Sequence, residues 1–329
     1  MLSRVAERIY WMARYIERAE NTARIVKVNT YLLLDLPRKA RFGWDTLVQI
    51  MGGMESFNAH YKEATERNVV RFMVSDDRNP GSIFSSLQQA RENARTIRDI
   101  IPREAWERVN ELYLMAKNQV QAGLSQHRRQ DFLDAIIGGA QQITGMLAGT
   151  MTHDQGYSFL RMGRNLERAD MTTRIIDVRS KNLLPGQDGV LSPFDNIQWV
   201  SVLKSLTAYQ MYRREMQGQV RRGAVLDFLF KSRGFPRAFY HTLAEVEACL
   251  KELPRNDEPL KSVLHLEDLI LRADPNQLSA DELHEFIDVL QLELYELHGV
   301  ITQTYFAITG SATPTGPRAV TESQSAATA

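Results

Sequence analysis

Apolar residues recur at the i, i+3, i+4, i+7 spacing of an amphipathic helix through 2–34, 80–100, 103–124, 155–182, 195–217 and 279–308. Period-two alternation, the mark of a half-buried strand, is scarce, so the pattern predicts an all-α fold. Prolines stand where helices should begin or end: Pro37, Pro80, Pro102, Pro236, Pro254, Pro259 and Pro275. Asn79-Pro80 reads as an N-cap followed by a first-turn proline. Two stretches break the helical pattern. LLPGQDGVLSPFD (183–195) is too rich in Pro, Gly and Asp for a helix and reads as a long loop, and 311–329, small and polar, reads as a disordered tail.

The charged positions repeat. RYIERAENTARI begins at Arg14 and RNLERADMTTRI at Arg164, an offset of 150 residues. FGWDTLVQI (42–50) aligns with SPFDNIQWV (192–200) at the same offset, placing Trp44 over Phe194 and Asp45 over Asp195. RFMVSDDRNPGSIFSSL (71–87) aligns with DFLFKSRGFPRAFYHTL (227–243) at an offset of 156, with Pro80 over Pro236. Three matches in the same order predict a tandem-duplicated helical bundle: a first repeat over 1–150, a second over 151–310, and a pseudo-two-fold relation between the halves.

At about 100° per residue, Arg14, Glu17, Arg18, Glu20, Asn21 and Arg24 fall on one arc of their helix, and Tyr15, Ile16, Ala19, Ala23 and Val26 on the other. The second copy sets Arg164, Glu167, Arg168, Asp170 and Arg174 at the same phase. Mixed charge at i+3 and i+4 is what a solvated helix face uses. Identical phase in two copies, with arginine at every basic position, instead points to a target of fixed geometry, because a planar guanidinium grips a carboxylate or phosphate through two parallel hydrogen bonds. Two targets remain open. Either Glu17 and Arg18 pair with Arg168 and Glu167 across the axis, or the arginines surround an anionic ligand, such as a peptide or carboxylate, or a partner's acidic terminus, in a pocket lined by Arg14, Arg18, Arg91, Arg164 and Arg168 with Glu17 or Glu167 as proton acceptor. A fainter echo, ARENARTIRD (90–99), adds Arg91 and Arg95 to the charge cluster, and its counterpart has diverged: Glu247 and Lys251 stand at those positions in the second half.

Composition removes several function classes. Lys plus Arg (40) equals Asp plus Glu (40), so no overall basic field draws nucleic acid. One cysteine, Cys249, allows neither a disulfide framework nor a multi-cysteine metal cage, and it fits a reducing cytoplasm. MLSRVAERIYWMARYIERAE is broken by charge from Arg4 onward and lacks both the apolar stretch of a signal peptide and the length of a membrane span.

The phrases IYWMARYIERAENTAR, NPGSIFSSLQQARENAR and FLRMGRNLERADMTTRIID resemble a family of bacterial helical domains, the alpha-E proteins, named for a Glu-Arg motif and found as a tandem duplication. Glu17-Arg18 and Glu167-Arg168 match that motif, and the resemblance covers 1–308. It implies a setting rather than a reaction: alpha-E domains are associated with ATP-grasp ligases, transglutaminase-like proteins and NTN-hydrolase-type peptidases in a peptide synthesis or modification system. The expected role is a helical partner or scaffold that requires no cofactor.

No motif supports independent catalysis strongly, and an enzyme whose pocket between the repeats is lined by arginine and glutamate stays the alternative to a scaffold. Gly52-Gly53 and Gly138-Gly139 lack the spacing and lysine of a phosphate loop, and no nucleophile elbow is present. Asp76-Asp77 reads as a loop before a helix rather than a magnesium site, and His153-Asp154 as a helix-end cap. Asp281-x-x-His284 is the one carboxylate-His pair at the i, i+3 spacing of helical di-iron sites, which need two such pairs, so no metal is expected.

Overall fold

The computed structural model describes residues 2–35, 43–181 and 193–307, and among them it contains helices and no strand. The elements are α1 (Ser3–Asp35), α2 (Asp45–Ile50), α3 (Met54–His60), α4 (Glu66–Val74), α5 (Ile83–Thr96), α6 (Arg103–Asn118), α7 (Val120–Leu124), α8 (Arg129–Thr150), α9 (Gln155–Lys181), α10 (Pro193–Ser205), α11 (Tyr209–Met216), α12 (Arg222–Lys231), α13 (Phe239–Lys251), α14 (Asp257–Arg272) and α15 (Ala280–Ile301), which ends in a π-helical turn, Thr302–Phe306. The expected tail, 311–329, and most of the expected loop lie outside the described residues.

Local chemistry sets many of these boundaries. Thr65 accepts from the Asn68 N–H at the start of α4, and Ser279 forms a reciprocal capping box with Glu282 at the start of α15. Asp154 Oδ1 accepts from the N–H groups of Gly156 and Tyr157, so His153-Asp154 does open α9 as a cap. Four expectations need correction. The cap of α5 is Ser82, not Asn79: the Asn79 side chain bonds the Phe72 carbonyl and the Gly81 N–H, which builds a turn ahead of the helix. The helices read over 103–124 and over 195–217 are each two helices, the first broken at Gln119 and the second where Thr207 adopts φ 55. The stretch read as loop to 195 already becomes helix at Pro193, a residue suited to a first turn.

Two long helices form the centre. α1 packs on α9, α5 and α8, while α9 packs on α1, α13 and α15. Every residue of α1 from Ile9 to Val26 is buried, so this helix is enclosed on all sides, its charged arc included. At Gly163 the two central helices nearly touch, since a Cβ there would lie 2.3 Å from the Tyr10 carbonyl oxygen. Glycine is what allows that approach. The short helices cross over: α2 packs on α9, and α10 on α1. Apolar side chains from both central helices and their neighbours join one hydrophobic core, closed near α15 by Tyr10, Phe159, Tyr305 and Phe306.

Candidate functional site

Where α1 meets α9, the repeated motifs face one another. Glu167 receives Arg18 Nε on Oε1 at 2.5 Å, and Arg18 Nη2 and Arg14 Nε on Oε2, both at 2.9 Å. Glu17 Oε2 lies 3.0 Å from Arg168 Nε, an ion pair that crosses between the two helices. Both acids are almost fully enclosed, Glu17 at 1% and Glu167 at 2% exposure. The two cross pairs named from the sequence are thus formed, and they lie in the core rather than on a wet face.

The next turn of each motif closes on itself. Arg24 grips Glu20 at 2.5 Å from Nη2, and Arg174 grips Asp170 at 2.8 Å. Arg24 Nη1 also donates to Thr207 Oγ1, which ties α1 to the turn after α10. In the other direction, Arg174 reaches Gly52, the positive-φ residue after α2, closely enough that a Cβ there would lie 2.9 Å from its Nη1.

Arg237, which sequence reasoning missed, completes the junction. It stands just before α13, is 7% exposed, and donates from Nη1 to Glu17 Oε1 at 2.7 Å and Asn21 Oδ1 at 2.6 Å, and from Nη2 to Glu20 Oε1 at 2.9 Å. Its signal was present in the alignment, where FPRAF holds arginine at the place that NPGSI fills with Gly81. Burial pushes the Glu17 carboxyl up, but the guanidinium groups of Arg168, Arg237 and Arg164 outweigh it and hold the group at about 2. Burial acts on Arg237 in the opposite sense from Glu17 and Glu20, and those acids prevail, so its pKa is raised. Arg164 differs. It forms no ion pair among the described residues and its Nε is buried without a hydrogen-bond partner. Burial, then Arg168 beside it, lowers its pKa against the pull of Glu17.

Arg91 and Arg95 do not join this cluster, which corrects the sequence grouping. Arg91 bonds Asn110 and Glu92 and lies over the Trp106 and Tyr113 rings on the α5–α6 surface, and Arg95 pairs with Glu92. The helical spacing that linked them to the motif belongs to an outer face. Asp281 likewise takes no part in the group around His284, whose Nδ1 meets Asp177 Oδ1 at 2.6 Å and whose Nε2 meets Asp288 Oδ2 at 3.6 Å. Asp177 is 107 residues away in sequence, beyond the reach of any spacing rule. Asp76, half of the acidic pair, is held by Arg78 at 2.7 Å and by the Tyr61 hydroxyl at 2.5 Å. These bonds set its carboxyl well below the ordinary range.

The arrangement can do one thing well, which is to hold two buried helices at one register and orientation by charge-assisted hydrogen bonds. Among the described residues of the junction, none presents a nucleophile beside a base. The class defined by fold and site is therefore an all-helical domain centred on paired Glu-Arg motifs. The model of the Alpha-E family, a predicted alpha-helical domain with a conserved ER motif, matches residues 1–306, and the chain belongs to that family. It is similar to uncharacterized proteins of Mycobacterium bovis (strain ATCC BAA-935 / AF2122/97) and Mycobacterium tuberculosis (strain CDC 1551 / Oshkosh), each 23% identical over 349 residues, and of M. tuberculosis (strain ATCC 25618 / H37Rv), 22% identical. The aligned region takes in 94% of this chain but only 38% of those relatives. No solved structure matches at a significant level. Among the described residues, no helix is long and apolar enough to cross a membrane.

Proposed function

We propose that this chain is a non-catalytic helical scaffold, built by tandem duplication about a pseudo-two-fold axis, that serves a cytoplasmic peptide synthesis or modification system alongside an ATP-grasp ligase and a transglutaminase-like protein. The observation that carries the scaffold reading is how the motif arginines are engaged: with the exception of Arg164, they face acids of the junction itself, as Arg14, Arg18, Arg24, Arg168 and Arg174 do. A binding pocket would leave its arginines free to meet a ligand.

Matched details in the two halves favour duplication. Thr22 Oγ1 donates to the Gly81 carbonyl, and Thr172 Oγ1 donates to the Arg237 carbonyl, the same bond at offsets of 150 and 156 residues. Gly52 (φ 65) and Thr207 (φ 55) end α2 and α10 in the same left-handed conformation. In each half the short helix leans on the other half's motif helix. The longer mycobacterial relatives, in which the matched region is 38% of the chain, support a domain that works joined to other polypeptide.

The test is co-purification with the proteins encoded beside this chain, followed by a ligase assay with and without it. The expected outcome is a stable complex and a ligase whose rate or product length depends on this chain. A ligase that behaves identically in both reactions, with no partner recovered, overturns the reading.

A further inference from the structure

A cavity of about 660 Å³ opens between α4, α5, α6 and α7, well away from the central junction. Three cations line it, Arg67 and Arg71 from α4 and Lys117 from the end of α6, with Phe84 and Leu124 supplying aromatic and aliphatic wall. No acid lines it. Among the described residues, none of the three cations forms an ion pair, and the nearby Asp76 is already held by Arg78 and Tyr61.

Many of the chain's other cations are paired. On its outer helices, cations at i+3 and i+4 spacing meet acids: Arg103 with Glu107, Arg108 with Glu111, Lys261 with Glu258 and Arg272 with Asp268. Arg67 and Arg71 put two like charges four apart, as Arg14 and Arg18 do, but Arg14 and Arg18 converge on Glu167 whereas Arg67 and Arg71 form no ion pair among the described residues. The fold does not impose it either. At the positions 156 residues onward stand Gly223, Asp227 and Ala273, and Asp227 lies 3.7 Å from Lys231.

We propose that this cavity binds an organic phosphate, its phosphoryl group between Arg67, Arg71 and Lys117 and its carbon framework against Phe84 and Leu124. Three full cations call for a multiply charged anion, and guanidinium forks match phosphoryl oxygens in pairs. The volume is several times what a bare phosphate needs and lies in the range of small-molecule sites. The inference stands apart from the scaffold reading, and either can fail without the other.

Calorimetric titration of the full chain with AMP, ATP, inorganic phosphate and citrate tests it. Expected is binding of the nucleotides, tighter than that of inorganic phosphate, weakening as salt rises. Arg71→Gln and Lys117→Gln, on separate helices, should each reduce that binding on the order of ten-fold, while Arg108→Gln, in a surface pair elsewhere, leaves it unchanged. Unchanged melting temperatures in these exposed-site variants attribute the loss to the site. The proposal is overturned by absence of nucleotide binding at millimolar concentration, by nucleotide binding that ignores both substitutions, or by citrate binding as tightly with the same sensitivity.

Discussion

Glu17 and Glu167 occupy matching positions but answer to different numbers of helices. Glu167 is held by Arg14 and Arg18 of α1, whereas Glu17 is held by Arg168 of α9 and by Arg237 before α13. Removing either carboxylate leaves buried guanidinium groups facing one another, so Glu17→Ala and Glu167→Ala should each cost ~3–5 kcal/mol, read as a fall in melting temperature. An unchanged melting temperature in both would show that the pairs contribute nothing. Acid provides a second measurement. The folded-state pKa of Glu17, about 2, lies below its ordinary value of 4.5, so the unfolded chain takes up the proton first. Its contribution is complete above pH 4.5 and is lost as pH falls toward 2. Unfolding free energy measured across that window should fall with a shallower slope in Glu17→Gln than in the parent. Equal slopes would remove Glu17 as the cause.

At the scale of helices, the approach of α1 to α9 depends on Gly163. A side chain there meets Tyr10 backbone, which has no rotamer to move aside, so Gly163→Val should prevent folding or shift the central helices and break the cross pairs. Gly138 in α8 is the control: a Cβ added there meets nothing within 4 Å. Gly138→Ala should raise stability by about 0.5–1 kcal/mol through helix propensity. Denaturant midpoints for the two variants check both claims, and equal effects would contradict this account of the crossing. Most helices were legible in the sequence at this scale because apolar period and proline placement are local properties. Breaks that depend on contacts were not. The one at Thr207 lies within an unbroken helical pattern, and its left-handed backbone is held where Arg24 of a distant helix bonds its hydroxyl.

For the whole molecule, the two motif helices sit at the centre of one core, and the outer helices carry the surfaces available to ligands and partners. Melting temperature and phosphate titration therefore probe separate regions, the first the junction and the second the outer cavity. A variant such as Arg71→Gln should lose nucleotide binding yet keep the melting temperature of the parent, whereas Glu167→Ala should show the converse pattern per folded molecule. If both variants changed both readouts alike, the division into an inner structural junction and an outer site would fall.

What the sequence determined by itself was the helical class and the repeat of charges at one phase, since each follows from spacing along a single helix; it offered the pairing of Glu17 with Arg168 and of Arg18 with Glu167 as one of two targets, and the structure chose between them. Tertiary structure alone decided that the charged arc of α1 and Glu167 of α9 are buried, that Arg237 joins them from before α13, that Arg91 and Arg95 stay outside, and that Arg67, Arg71 and Lys117 line one cavity. The reason is physical: helical periodicity says which side chains share a face, but what covers that face depends on segments far along the chain.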